Sequence, residues 1–145
     1  MLLKLLPAQI PTYQDVIVQA IDESMPGYSE QIRTALFRDL LLDECQAWLS
    51  YTDDESFEGV LITQLRKDIG IGINTLTIVC LYTPNALDNT SFIRGWPLIQ
   101  KYAKSKGCTA IDFYTDNQAV LKYVKLFNVI LDTRYIQISL EDKEI

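Results

Sequence analysis

The chain has 145 residues, 48% hydrophobic and 22% charged, a composition that suits one compact core and excludes a polar disordered chain. With 13 basic and 19 acidic residues its formal net charge is -6, so a partner held by phosphate neutralisation, nucleic acid above all, is not expected. There is no histidine, and the 3 cysteines, Cys45, Cys80 and Cys108, lie far apart without C-x-x-C spacing. That excludes the usual Cys/His zinc sites, Ser-His-Asp triads and Cys-His pairs. Isolated cysteines in apolar surroundings read as reduced core residues, which favours a cytoplasmic setting.

In chain order, Leu2 to Gln9 is short, apolar and bounded by prolines, and reads as a first strand. Pro7 and Pro11 break the apolar start before it reaches the length of a signal peptide, and no stretch is apolar enough to span a bilayer. Val16, Ile17, Ala20 and Ile21 share one face of a first helix that stops before Pro26-Gly27. Ser29 suits the cap of a second helix, with Ile32, Ala35, Leu36 and Leu40 as its stripe and an end near Asp43. Cys45 to Tyr51 alternates, the polar cluster Thr52 to Ser56 turns the chain, and Phe57 to Leu65 completes a hairpin. After a loop with Gly70 and Gly72, Thr75 to Tyr82 is rich in β-formers until Thr83-Pro84-Asn85 stops it. Trp96, Ile99 and Ala103 mark a third helix ending at Gly107, and Thr109 to Tyr114 is a further strand. Lys101, Lys104 and Lys106 complement the carboxyl end of that helix. A fourth helix through Ala119, Leu121, Tyr123 and Leu126 precedes strands at Val129 to Thr133 and Tyr135 to Leu140. The predicted order is β-α-α-β-β-β-α-β-α-β-β, one domain over 1–140 with a polar tail over 141–145.

Several local sequences sit at matching places in one known order. The strand Thr75 to Thr83 ends in Pro84, the third helix ends in Ala103-Lys104-Ser105-Lys106-Gly107-Cys108, and Asp116 to Leu126 resembles N-x-x-A-x-x-x-Y-x-K-L, with Asp116 at the place of the asparagine. Together they resemble the acyl-CoA N-acyltransferase (GNAT) superfamily over nearly the whole chain, most strongly from Thr75 onward. The resemblance implies an α/β (α+β) fold with a mixed, mostly antiparallel central sheet flanked by helices.

The same resemblance implies a coenzyme A site between the fourth strand and third helix, where the family carries R-x-x-G-x-G/A. Glycines there let backbone N–H groups close on the pyrophosphate at a helix N-terminus. Here Leu87 stands at the arginine, Thr90 at the first glycine and Phe92 at the second small residue, with Asp88 adding like charge. Pro97 is expected either to break the helix or to delay its start by about six residues, roughly 9 Å. A re-formed loop would have to use Arg94-Gly95 with Asn89, Thr90 and Ser91, alongside the strand end Leu81, Tyr82 and Thr83.

For chemistry, the resemblance implies a fourth-helix tyrosine as acid for the leaving thiolate, and Tyr123 occupies that place. Thr75 to Tyr82 carries no carboxylate, so the base has to be Glu58, or Asp53 or Asp54 from the turn. Cys80 falls near the expected thioester position but reads as a small core residue. Two functions follow. One is a non-catalytic GNAT-fold protein without cofactor, acting through protein contacts, as an incomplete-loop member resembling small GNAT-like proteins of tailed phages, in an assembly or virion. Phe92, Trp96, Tyr82 and Phe127 would then expose aromatic surface at the vacated cleft. The alternative is a divergent acetyltransferase using acetyl-CoA on an amine.

Overall fold

A computed structural model describes residues 1–24, 30–68, 73–84 and 90–113. The chain divides into two compact units, Met1–Phe113 and Tyr114–Ile145, and every described residue belongs to the first. The predicted fourth helix, the last two strands and the polar tail lie outside the described residues.

Strand β1 is only Leu2–Lys4, shorter than the predicted Leu2 to Gln9. Pro7 opens a 3-10 helix, Pro7–Tyr13, in which the Gln9 side chain accepts from the Leu6 N–H at 2.8 Å. A proline's fixed φ suits such a first turn better than a strand. Helix α1, Gln14–Ser24, buries Ile17, Ala20 and Ile21 as the periodicity predicts. Helix α2, Glu30–Leu41, buries Leu36 and Leu40. Its predicted stripe is rotated, however: Ile32 is exposed and Phe37 packs against the core instead. The helix ends with Asp43 at φ 59°, while Glu44 N–H bonds Asp39 O and Asp43 N–H bonds Leu40 O. This is a Schellman stop built on aspartate rather than glycine. The predicted Ser29 cap is outside the described residues.

Strands β2 (Cys45–Tyr51), β3 (Phe57–Asp68), β4 (Ile73–Tyr82) and β5 (Ala110–Phe113) complete a five-stranded sheet in the order β1-β2-β3-β4-β5. All neighbours run antiparallel except β4 and β5, which are parallel and joined through helix α3, Thr90–Ser105. That crossover covers one sheet face and α1 and α2 cover the other. On the α1/α2 side, Ala47, Leu49, Val60, Ile62 and Cys80 meet Ile17, Ile21 and Leu40. On the α3 side, Leu2, Trp48, Leu61 and Leu76 meet Ile99 and Ala103. Each fully buried Ile or Leu contributes on the order of 1.5–3 kcal/mol, so packing on both faces fixes the sheet. All three cysteines are buried and free. No described helix is long and apolar enough to cross a membrane.

A polar line crosses the α3-side core. Gln46 donates to Asp43 O at 2.8 Å, Thr63 donates to Gln46 Oε1 at 2.9 Å, and Trp48 Nε1 donates to Thr63 Oγ1 at 3.0 Å. Trp48 in turn meets the edge of the Tyr102 ring at 5.2 Å, and Lys4 lies 5.6 Å from that ring's centre. The line thus ties the end of α2 through β2 and β3 to α3; Gln46, Thr63 and Trp48 are hydrogen-bonded in series, whereas the buried Tyr102 hydroxyl has no partner among the described residues.

Candidate active site

The carboxyl end of β4 and the amino end of α3 meet at one end of the sheet. In a parallel β-α-β unit this is where ligands bind, because the crossover helix points its partially positive end there. Two irregularities shape it. In β3, Ser50 pairs with Gly59 but Tyr51 pairs with Phe57, which leaves Glu58 as an extra residue. In β4, Cys80 pairs with Ile62 but Ile78 pairs with Thr63, which leaves Val79 extra. Bulges re-aim side chains, and both do so here.

The bulge at Glu58 turns its side chain to the face that Trp48 and Ser50 share. The half-buried carboxylate accepts from Ser50 Oγ at 2.9 Å and makes no ion pair among the described residues. Ser50 pairs with Leu2, and Leu2 seats α3: a Cβ added at Gly95 would lie 3.0 Å from Leu2 Cδ2. The first turns of α3 therefore cross the sheet at the end where Glu58 stands. Gly59 is the close-approach residue beside it, since a Cβ there would fall 2.2 Å from Tyr82 O.

The bulge at Val79 exchanges faces within β4. Ile78 packs on the α3 side, whereas Cys80 and Tyr82 pack on the α1/α2 side. Leu81 is left 38% exposed, its carbonyl accepting from Ser24 Oγ at 3.4 Å. Tyr82 is 7% exposed, and burial together with a hydrogen bond to Glu23 pushes its phenol above the ordinary value. Thr83 is half-buried over Gly59. Cys80 lies in the core with its thiol toward Ala20 O, and burial raises its pKa to about 11.

Several expectations from the sequence need correction here. Tyr82 is not an exposed aromatic, because the Val79 bulge turns it inward, and Trp96 is half-buried against the α3-side core. Pro97 neither breaks α3 nor delays it: the helix starts at Thr90 and carries Pro97 in its interior. The stripe Gly95, Ile99 and Ala103, all buried, holds the helix on the sheet through the proline. Gly95 is thus a packing contact within the helix and not part of a re-formed loop. Arg94 is exposed, and its Nη1 donates to both Asp53 oxygens at 3.3 and 3.2 Å. Asp53 is therefore engaged with α3, while Asp54 is drawn into its own turn by Thr52 and Ser56, which lower its pKa. Leu87, Asp88, Asn89, Tyr123 and Phe127, and the side chains of Thr90, Ser91 and Phe92, lie outside the described residues. The structure brings Glu58, Leu81, Thr83 and the start of α3 to one end. A hollow of about 380 Å³ on α2, lined by Glu30, Gln31, Thr34, Ala35 and Arg38, involves none of them. The bulges and the Arg94–Asp53 pair were missed from the sequence, where only the missing carboxylate on β4 pointed toward Glu58.

No family model matches the chain, and no curated protein sequence is significantly similar to it. Solved structures are similar throughout its length. A probable acetyltransferase shares 13% identity at a TM-score of 0.71, with 99% of each chain covered. An aminoglycoside acetyltransferase, meta-AAC0020, from an uncultured soil metagenomic sample shares 12% at 0.72, covering 99% of this chain and 96% of that one. AAC(6')-Iy, in complex with the bisubstrate analogue CoA-S-monomethyl-acetylneamine, shares 13% at 0.69, covering 96% and 97%. At these identities the likeness speaks to architecture, and the chain has the fold of the GNAT acetyltransferases.

Proposed function

We propose that the protein is an acetyl-CoA-dependent N-acetyltransferase acting on an amine. The observation that carries this reading is α3 beginning at Thr90, so that its amino end faces the carboxyl end of β4. The free N–H groups of that first turn suit the phosphates of coenzyme A. Acetyl-CoA, when bound, supplies the activated acyl group. Glu58 takes the proton from the incoming ammonium so that its nitrogen can attack the thioester carbonyl, and Ser50 orients the carboxylate. The N–C bond forms, the C–S bond breaks, and the nitrogen gives up its second proton as the departing thiolate takes one up, a transfer for which Tyr123 is the candidate donor and acceptor. Gly59 lets β3 approach β4 closely, which keeps Glu58 beside Leu81 and Thr83. Three buried free cysteines favour a reducing compartment such as the cytoplasm.

Calorimetry with acetyl-CoA and thiol release with a panel of amines test the proposal together. Micromolar binding and amine-dependent release are expected. Glu58→Gln should lower turnover by about 10²–10⁴-fold with little change in acetyl-CoA affinity. Absence of binding at millimolar acetyl-CoA would overturn it. That result would leave the second reading, a non-catalytic protein acting through protein contacts, which Leu87, Thr90 and Phe92 favour by replacing the arginine and small residues of the phosphate loop.

A further inference from the structure

Arg94 is the only cation in the first half of α3. Its guanidinium leaves its own helix and reaches the β2–β3 turn, 41 residues earlier in the chain. The turn is built to present that partner. Thr52 N–H bonds Ser56 O at 2.8 Å, Ser56 N–H bonds Thr52 Oγ1 at 3.0 Å, and Thr52 Oγ1 bonds Asp54. Asp54 and Thr52 are consumed in the turn, and Asp53 is left to project. On the other side, the Gly95 contact with Leu2 fixes the roll of α3, which sets Arg94 beside the turn rather than against the sheet.

The contact is weak by construction. The side chains are 62% and 86% exposed, and one Nη1 is shared between both oxygens instead of a fork gripping the carboxylate. Exposed pairs of this kind are easily exchanged, whereas a polyphosphate offers the guanidinium more charge and more acceptors.

We propose that Asp53 is an internal competitor for Arg94, which holds the guanidinium away from the phosphates of the acyl carrier and is displaced when they bind. The proposal rests on the acetyltransferase reading and adds a regulatory step to it. Carrier binding moves Arg94 onto phosphate and frees the β2–β3 turn, and that turn runs directly into Glu58 at the start of β3. The acyl carrier would therefore release the segment next to the base before the amine is engaged.

The test is calorimetry with acetyl-CoA on wild type, Asp53→Asn, Arg94→Gln, the double variant and Glu55→Gln. All three positions are exposed, and circular dichroism checks that each variant is folded. Asp53→Asn should bind about two- to fivefold more tightly than wild type, the range expected for release of an exposed pair. Arg94→Gln should bind more weakly, and adding Asp53→Asn to it should restore nothing. Glu55→Gln removes an equal charge from the same turn without touching Arg94, and should not reproduce the gain. Unchanged or weaker binding by Asp53→Asn overturns the competition while leaving the acetyltransferase reading intact, provided wild type binds. A gain that persists without Arg94, or appears equally in Glu55→Gln, also overturns it by reducing the effect to general charge. If neither wild type nor Asp53→Asn binds, both proposals fall.

Discussion

Thr63→Val is the sharpest probe of the polar line that joins α2 to α3. Thr63 is fully buried, and its one hydroxyl both accepts from Trp48 Nε1 and donates to Gln46 Oε1. Valine keeps the shape and removes both bonds. Two buried groups then lose a partner at roughly 1–3 kcal/mol each, and the added methyl returns under about 1 kcal/mol. The net loss is about 3 kcal/mol. With a urea slope of about 1.5–2 kcal/mol per molar for a chain of this size, the midpoint should fall by about 1.5–2 M. Trp48 reports the same change directly, so equilibrium unfolding followed by tryptophan fluorescence is the assay. Thr63→Ser retains the hydroxyl and loses only a methyl, for about 1 kcal/mol. A valine variant within about 1 kcal/mol of wild type, or no less stable than the serine variant, would show that these bonds are not what holds the network.

Gly59→Ala would put a methyl 2.2 Å from Tyr82 O, where backbone must yield; a loss of about 2–3 kcal/mol is expected in thermal or urea melts, with weaker acetyl-CoA binding. Pro97→Ala restores a donor to the interior of α3 and should raise stability by about 1–3 kcal/mol, read as a higher Tm. Burial raises the Cys45 thiol to about 12, with Asp39 and Glu44 adding to the shift, and burial likewise raises Cys80 to about 11. Both lie above the ordinary 9.0. Their contribution is therefore complete below pH 9.0 and is lost as pH rises toward 11–12. Native protein should accordingly resist a thiol reagent at neutral pH, and its unfolding midpoint should fall at alkaline pH less steeply when both cysteines are replaced by alanine.

The elements that the sequence made legible are those whose local pattern and tertiary surroundings agree. Alternation of Ala47, Leu49 and Tyr51 with Gln46, Trp48 and Ser50 placed β2 at its observed bounds, and the spacing of Ile17, Ala20 and Ile21 placed α1. Helix α3 was misread because the local penalty of Pro97 was weighed without the buried stripe of Gly95, Ile99 and Ala103, which keeps the helix on the sheet. Ile32 was misassigned because two nearly equivalent stripes run along α2, and only contact with the 3-10 helix and β2 selects Leu36, Phe37 and Leu40. At the site, Glu58 was reached by elimination, but its orientation was not readable. A bulge depends on the register of two strands, and no single-strand pattern encodes it. The Arg94–Asp53 contact was hidden for the same reason, since it joins segments 41 residues apart.

The extra residue at Val79 makes β4 a strand of changed parity. Up to Ile78 the even-numbered positions serve α3; from Cys80 onward they serve α1 and α2. Removing Val79 would set Cys80 directly after Ile78, still opposite Ile62 and Thr63, so the ladder would become regular and Cys80, Leu81 and Tyr82 would keep their faces. Insertions and deletions are thus tolerated very differently along β4. At the bulge the loss of one residue is absorbed without exchanging faces, whereas the same loss in the regularly paired stretches on either side would act like several simultaneous substitutions.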